Sequence, residues 1–384
     1  MTTIVVAGAL ANKAGNGGEA WVRISWANGL AGLGANVHLL EEIDITSCVD
    51  AAGAPCDIEQ SANLEFFREV TRAHGLIATL LASDGRAFGA PLAELRELAG
   101  AADLLVNISG HLRSPALLRR FRRKAYVDID PGFTQLWHAA GMSDPGVADH
   151  DVHFTIGENI GSPECDLPCG GVEWIPTRQP VVLEDWPLVP ATGTDRFTTV
   201  ASWRGAYGPV EHRGRTLGVK AHEFRKYLEL PGRIDQRLEL ALDIHAADNG
   251  DRRRLLDHGW QLVDPRRHAA SPEQFRSYVH SSSGEFSVAQ EVYVATRSGW
   301  FSDRTVRYLA SGRPALVQDT GFSRHLPVGT GLVPFSSMEE AVLGAKSIES
   351  DYSAHAAAAR SIAELHFDAN VVLPRFLEQA GVRT

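Results

Sequence analysis

The sequence contains few sulfur-bearing residues and no long apolar run. Four of its 384 residues are cysteine and three are methionine. So few thiols in a chain of this length indicate a reducing compartment, because disulfide-rich sequences belong to oxidising ones. No apolar run approaches the ~20 residues of a membrane-spanning helix, so we expect no membrane span. The N-terminal residues carry no basic segment of a signal peptide and predict a strand, so we expect a cytoplasmic protein.

Positive charge is also in short supply. The chain has 37 lysines and arginines against 47 acidic residues, which gives a net charge of −10. Nucleic acids and anionic membranes favour a basic surface, so we expect neither as a partner. Two basic runs, Arg119–Lys124 and Arg252–Arg254, fall in segments predicted to be helical, and we interpret them as solvated helix faces. The hydrophobic fraction of 44% is ordinary for a globular protein.

No metal-binding pattern is complete. Cys165 and Cys169 have a spacing that permits half of a metal site or a local disulfide. The further cysteines and histidines that a zinc site needs are not found nearby at ligand spacing. We therefore expect a loop with thiols and no metal.

The beginning of the chain follows a β-loop-α-β pattern. A strand is predicted at Ile4–Ala9, a helix at Glu19–Leu33 and a second strand at Asn36–Leu40. The loop between the first strand and the helix contains Asn16, Gly17 and Gly18, as is typical of the first turn of a doubly wound domain. The glycines do not fit G-x-G-x-x-G, which argues against a dinucleotide-dependent dehydrogenase.

Further segments continue this alternation in two series. The first series predicts strands at Leu76–Leu81, Leu104–Ser109 and Ala125–Ile129, and helices at Asn63–Ala73, Pro91–Ala99 and Ser114–Lys124. The second predicts strands at Phe197–Ser202, Leu238–Ile244, Trp260–Val263 and Ala315–Gln318, and helices at Lys220–Leu228, Asp251–His258 and Pro272–His280. We therefore predict an α/β fold of two Rossmann-like, doubly wound domains that face a cleft. The expected boundaries are 1–185 and 195–365, followed by a C-terminal helical segment at 366–384.

The segment from Arg297 to Gly321 is the most informative part of the chain. Ser302 and Asp303 are good N-cap residues for a helix, and a helix N-terminus suits a phosphate. A turn at Ala310–Pro314 ends this helix and leads into a buried strand. Polar residues then follow the carboxyl end of that strand, where open α/β sheets bind ligands.

This segment resembles the donor half of the GT-B glycosyltransferases. Trp300–Gly321 matches their order of a Gly-aromatic loop, a helix at the nucleotide diphosphate, a small-Gly-x-Pro turn, a strand and a polar turn. Many members carry a Glu that holds the ribose at the position of Arg307, so this chain must recognise ribose differently or use another ligand. The resemblance implies transfer from a nucleoside diphosphate sugar to a small-molecule or glycan acceptor, without any other cofactor. It also assigns the Asn16–Gly18 loop to the acceptor side and suggests that the last helix packs back on the first domain.

The resemblance also suggests which residues bind the donor. Arg204 and Lys220 resemble the basic pair that GT-B enzymes place on the diphosphate, whose charge grows as it leaves. Asp319 follows the last strand, where a carboxylate can accept hydrogen bonds from sugar hydroxyls. The full expected donor set is Arg204, Lys220, Glu285, Gly299, Trp300, Ser302, Asp303, Arg304, Thr305, Asp319, Thr320 and Gly321.

A general base is less evident from the sequence. An inverting transferase needs a base to deprotonate the acceptor, whereas a retaining one does not. The candidates are Asp130 and His111, which follow predicted strands, and Glu19 at the first helix. Two other functions stay open. One is a nucleotide-sugar epimerase or hydrolase on the same fold, and the other is a non-catalytic partner protein that binds nucleotide sugars.

Overall fold

The computed structural model describes residues 1–141, 146–190 and 196–382. Within them, the predicted α/β architecture of two Rossmann-like units is confirmed, with one parallel sheet in each half of the chain. Residue 195, where we expected the second domain to begin, and the last two residues of the C-terminal segment lie outside the described residues.

The first sheet is doubly wound around its first strand. Its strands are β1 (Thr3–Ala7), β2 (Asn36–Ile43), β3 (Ala78–Ala82), β4 (Ala87–Phe88), β5 (Leu104–Ile108), β6 (Lys124–Asp128), β7 (Val152–Thr155) and β8 (Trp174–Pro176). They lie in the order β4-β3-β2-β1-β5-β6-β7-β8, and all pairs except β3–β4 are parallel. The direction of winding reverses between β1 and β5, which is where such sheets bind ligands.

The second sheet repeats this arrangement. Its strands are β9 (Arg196–Ser202), β12 (Arg237–Asp243), β13 (Gln261–Val263), β14 (Gly284–Ser287), β15 (Ala315–Gln318) and β16 (Leu332–Phe335). They lie in the order β13-β12-β9-β14-β15-β16, and every pair is parallel. A separate antiparallel hairpin of β10 (Val210–His212) and β11 (Arg215–Leu217) interrupts the connection that follows β9. This hairpin was not predicted from the sequence.

Helices cover both sheets. In the first half they are α1 (Gly17–Gly32), α2 (Ala62–Ala73), α3 (Leu92–Ala101), α4 (Pro115–Leu118) and α5 (Phe133–Ala140). The others are α6 (Lys220–Phe224), α7 (Asn249–Asp257), α8 (Pro265–His268), α9 (Pro272–His280), α10 (Glu291–Thr296), α11 (Asp303–Ala310), α12 (Met338–Ser350), α13 (Tyr352–His366) and α14 (Ala369–Gln379). Parallel strands need such crossover helices, which explains the alternation in the sequence.

Two predicted helices are wrong in length. The segment Ser114–Lys124 forms only one helical turn, α4, because the chain must turn back to begin β6 at Lys124. Phe121, between α4 and β6, is buried against the core, and its arginine neighbours belong to this connecting loop and not to a helix face. The second basic run does lie on a helix, α7. The helix predicted at Lys220–Leu228 is also shorter, since α6 passes into a 3-10 turn after Phe224.

The last helix lies against the first half of the chain. Its Leu373 packs so closely on Gly29 of α1 that a Cβ at this glycine would lie 2.6 Å from Leu373 Cδ1. The rings of Trp26 and Phe376 meet edge to face at 4.9 Å. Apolar packing between α14 and α1 therefore brings the end of the chain back to its beginning.

The start of α1 makes a close contact with the second half of the chain. The amide of Gly17 donates to the carbonyl oxygen of Ala269 over 2.7 Å, and Trp21 Nε1 donates to Pro272 O over 2.8 Å. A Cβ on Gly17 would lie only 2.0 Å from the carbonyl oxygen of Ser271. Only glycine therefore permits this approach of the two backbones.

We expect Gly17→Ala to lower the free energy of unfolding by about 1–3 kcal/mol, because the added methyl group forces the two halves apart. Gly32→Ala, in the last turn of the same helix, is the matched control, since nothing lies within 4 Å of the Cβ position there. Thermal denaturation of both variants measures the difference. Equal midpoints for the two variants would show that the contact at Gly17 adapts without strain.

Candidate functional site

A cavity of about 910 Å³ lies between the carboxyl ends of the two sheets, and both halves of the chain line it. Its charged lining is balanced. The lining side chains of this kind are Lys13, Glu19, Asp130, Lys220, Asp243, Arg252, Asp264, Arg266, Asp303 and Arg304. A cavity of this size at two topological switch points is where the fold is expected to bind a ligand.

The loop before α1 forms one wall of the cavity. Asn16 caps the helix by accepting a hydrogen bond from the amide of Glu19. The buried Glu41 at the end of β2 holds the loop in place by accepting from the amides of Ala11, over 2.7 Å, and Asn12, over 2.8 Å. Asn16 and Gly18 line the cavity, whereas Gly17 makes the contact between the two halves.

Glu19 faces the cavity with its charge partly compensated. Burial by itself would raise the pKa of Glu19, but Arg23 and Lys13 lower it below its usual value, so the carboxylate is ionised. His111 lies near this group but is not among the residues that line the cavity. Burial, Arg23 and Lys13 lower the pKa of His111 to about 3, so its ring is neutral.

Asp130 projects from a rigid turn after β6. The turn is built by the fully buried Asp128, whose carboxylate accepts from Thr134 Oγ1 at 2.7 Å and Gln135 Nε2 at 2.8 Å. This divides the two acids of the Asp128-Ile129-Asp130 motif into a structural one and one that lines the cavity. Burial, Glu19 and Asp128 raise the pKa of Asp130 to about 7, so it can gain or lose a proton near neutrality.

The beginning of α11 forms the opposite wall. Ser302 occupies the N-cap position, but its side chain makes no capping hydrogen bond. Arg304 lines the cavity while its Nε donates to the buried Glu285 over 2.6 Å and one Nη donates to Ser287 over 2.5 Å. Glu285 is 0% exposed and is not part of the lining. It therefore acts on the cavity by fixing Arg304.

The two cations that the sequence paired are placed differently. Lys220 lines the cavity at the start of α6, and burial together with Arg304 lowers its pKa to about 7. The side chain of Arg204 is 56% exposed and forms a bidentate pair with Asp248, at 2.8 and 3.0 Å. Of these three expected donor cations, Lys220 and Arg304 line the cavity and Arg204 does not.

Arg307, at the position where many GT-B enzymes carry a ribose-binding glutamate, makes structural contacts. Its side chain is 0% exposed and donates to the carbonyl oxygen of Asp303 and, over 3.3 Å, to Ser25 Oγ on α1. It therefore ties α11 to α1 behind the cavity wall and does not line the cavity.

Several expected donor residues lie outside the cavity. Asp319 turns into its own loop, where it accepts from the amide of Gly321 at 2.9 Å and from Ser323 Oγ at 2.8 Å. Thr320 donates to the carbonyl oxygen of Trp300. Asp319, Thr320, Gly321, Gly299 and Thr305 are thus close to the cavity wall without being part of its lining. Trp300 itself does line it.

Other lining residues were missed by the sequence analysis. Asp243 ends β12 and Asp264 follows β13, so the rule that ligands bind at the carboxyl ends of parallel strands would have found both. Lys13 carries no such signal and reaches the cavity through the course of a loop.

Solved glycosyltransferase structures share this architecture along the whole chain. An alpha-glucosyltransferase solved with UDP is 11% identical, with a TM-score of 0.60 over 99% of this chain and 100% of that one. HepE from Anabaena, solved with UDP and glucose, has the same identity, TM-score and coverage. The sucrose-phosphate synthase of Thermosynechococcus elongatus is 11% identical, with a TM-score of 0.52 over 98% of each chain.

The chain has the GT-B fold. This confirms the fold class and the resemblance expected from the Trp300–Gly321 segment. No protein-family model and no curated protein matches the sequence. At this identity the likeness establishes the GT-B architecture alone, because one fold carries many activities.

Within the described residues, no helix has the length and apolar character to cross a membrane.

The lowered pKa of the Lys220 amine predicts a dependence of stability on pH. In the unfolded chain the amine titrates near its ordinary value of 10.5, and in the folded protein near 7. The charged amine of Lys220 thus lowers the free energy of unfolding, and this destabilisation has its full size below about pH 7. It vanishes as the pH rises towards 10.5. We expect Lys220→Met to stabilise the ligand-free protein by about 1–3 kcal/mol at pH 6 and by almost nothing near pH 10.5.

Thermal denaturation at both pH values checks this expectation. Lys346→Met, at an exposed position on α12, is the control and should change the midpoint little at either pH. If Lys220→Met stabilises the protein relative to the parent by no more at pH 6 than at pH 10.5, the amine is well solvated in the folded protein.

Proposed function

We propose that this protein is a glycosyltransferase that moves a sugar from a nucleoside diphosphate sugar to an acceptor bound in the cavity. The observation that carries the proposal is the meeting of Lys220, Arg304 and the N-terminus of α11 at one side of a cavity whose other side carries Asp130. The solved structures with the same fold support it, since two of those compared were determined with UDP.

The donor diphosphate would bind at the start of α11. Helix N-termini offer free N–H groups and a positive dipole end, and Lys220 and Arg304 add two cations there. Their stabilisation would increase as the bond to the sugar breaks, because the negative charge of the nucleoside diphosphate grows. Since Arg307 is buried, the ribose hydroxyls would bind instead to carboxylates at the ends of β12 and β13, Asp243 and Asp264.

The acceptor would bind on the side of the first half, near Asn16 and Asp130. In the reaction, an acceptor hydroxyl oxygen bonds to the anomeric carbon while the bond from that carbon to the diphosphate oxygen breaks. Asp130 takes the hydroxyl proton, and the nucleoside diphosphate leaves with the electron pair. A raised pKa suits this role, because a carboxylate that titrates near 7 is a stronger base than an ordinary one and is still partly ionised.

A binding and turnover screen tests the function. The purified protein is heated with UDP, GDP, dTDP and ADP and with their sugar conjugates, with and without magnesium. A stabilising shift from one nucleoside diphosphate, increased by one sugar, identifies the donor. Turnover of that donor without acceptor would indicate an epimerase or hydrolase, and binding without any turnover would indicate a non-catalytic partner protein. No shift with any nucleotide would contradict the proposal.

The diphosphate site predicts unequal effects for two cations. Lys220→Met should weaken binding of the nucleoside diphosphate by about 1.5–3 kcal/mol, roughly 10- to 150-fold, because a charged hydrogen-bond donor is lost. Arg204→Ala is the control and should change the dissociation constant little, since the side chain of Arg204 forms an ion pair with Asp248. Isothermal titration measures both. A large loss for Arg204→Ala with none for Lys220→Met would reverse the assignment.

The base role predicts a selective loss of catalysis. Asp130→Asn should lower the transfer rate by about 10²–10⁴-fold and leave the affinity for the nucleoside diphosphate unchanged. Asp257→Asn, at an exposed position on α7, is the control. Direct displacement inverts the anomeric carbon, which proton NMR of the product detects. A retained configuration together with an active Asp130→Asn variant would contradict the base role.

A further inference from the structure

The connection between β9 and α6 crosses from the second half of the chain to the first. It contains Tyr207 and the β10–β11 hairpin. The tip of the hairpin meets the loop after β7, where Asp166 pairs with Arg213 and lies 3.1 Å from His212 Nε2. An element of the second half is therefore attached to the first half at a point away from the cavity lining.

This attachment places Tyr207 against the wall that carries Asp130. The ring of Tyr207 packs on two aromatic rings of α5, with centroid distances of 4.8 Å to both Phe133 and Trp137. Its hydroxyl donates to Asp130 Oδ2 over 3.3 Å. The aromatic contacts fix the ring, so the direction of the hydroxyl is set by the packing between the two halves.

A second tyrosine completes the arrangement. Tyr293 on α10 donates from its hydroxyl to Asp130 Oδ1 over 3.4 Å and stacks on Trp300 at 4.4 Å. Both oxygens of a carboxylate that belongs to the first half thus receive a phenol hydroxyl from the second half.

We propose that Tyr207 is a positioning residue for Asp130, and that docking of the hairpin on the first half makes this carboxylate competent to accept the acceptor proton. The inference rests on the proposed function, in which Asp130 is the base. It assigns to the hairpin a part in catalysis that neither the sequence nor the fold suggested.

The groups that face Asp130 determine the direction of the effect. Glu19 from α1 and Asp128 from β6 oppose its ionisation. Lys13 and the hydroxyl of Tyr207 favour ionisation. Tyr293 donates to the same carboxylate, and Tyr126 lies close enough for the charge of Asp130 to act on it. A hydroxyl that donates to a carboxylate stabilises its charged form, so losing Tyr207 raises the pKa of Asp130.

The decisive variant is Tyr207→Phe, which keeps the ring packing and removes only the hydroxyl. The acidic limb of the pH profile of kcat/KM should move about 0.5–1 unit to higher pH, because a rise of one unit in the pKa of Asp130 lowers its ionised fraction about tenfold at acidic pH. At pH 6 kcat/KM should fall about three- to tenfold, with little change at pH 9 and unchanged affinity for the nucleoside diphosphate. Tyr352→Phe, which removes a hydroxyl bonded to Ser283 O outside the cavity, should leave the profile unchanged.

Asp166→Asn tests the docking of the hairpin separately. It weakens both contacts of the hairpin tip without changing any residue of the cavity lining. We expect a shift of the acidic limb in the same direction and of smaller size. An unshifted limb in Tyr207→Phe, with thermal stability like that of the parent protein, would overturn the proposal.

A direct titration separates this inference from the proposed function. In protein labelled with ¹³C at the aspartate carboxyl carbon, the signal that disappears in Asp130→Asn reports on Asp130. Its midpoint should rise by about 0.5–1 unit in Tyr207→Phe. A rise in a protein without transferase activity would uphold the contact and reject the catalytic function. An unchanged midpoint in an active enzyme would reject only the positioning role.

Discussion

The close approach of the start of α1 to the second half of the chain is the contact on which the cavity depends. Gly17 allows the backbone of this loop to meet that of residues 269–271, and Trp21 donates a hydrogen bond to the carbonyl oxygen of the next residue, Pro272. The carboxyl ends of two parallel sheets thereby face each other across a space the size of a ligand. Helix N-termini and polar side chains from both sheets converge there, because parallel βα units place them at that edge.

Burial then determines how the charges in the cavity behave. Arg304 is neutralised by the fully buried Glu285, whereas Lys220 has no such close partner within the described residues, and its pKa falls to about 7. Asp128 keeps its place through several hydrogen bonds within its own turn, whereas Asp130 receives two long ones from the opposite half. Lys220 and Asp130, whose charges are only partly compensated by neighbouring groups, are therefore better suited to chemistry than Arg304 and Asp128.

Arg307 differs from the glutamate of the GT-B pattern in the contacts that it makes. A glutamate at this position of the GT-B pattern would face a ribose, but the arginine is buried and joins α11 to Ser25 of α1. It thus strengthens the contact between the two halves. The carboxylates at the cavity edge come instead from the ends of β12 and β13, where Asp243 and Asp264 lie. Under the proposed function, these strand ends and not the helix would bind the ribose.

The sequence by itself determined the α/β alternation, the doubly wound sheets and the strand–helix–strand order around α11. Buried strands, glycine turns and helix caps depend on residues that are close together in the sequence, so local patterns predict them. It also indicated Lys220 and Asp130, since each lies near the end of a predicted strand or the start of a helix. Only the tertiary structure decided that Arg304 and not Arg204 lies beside Lys220, and that Asp319 turns into its own loop. Side-chain direction and pairing depend on neighbours distant in the chain, and no local pattern encodes them.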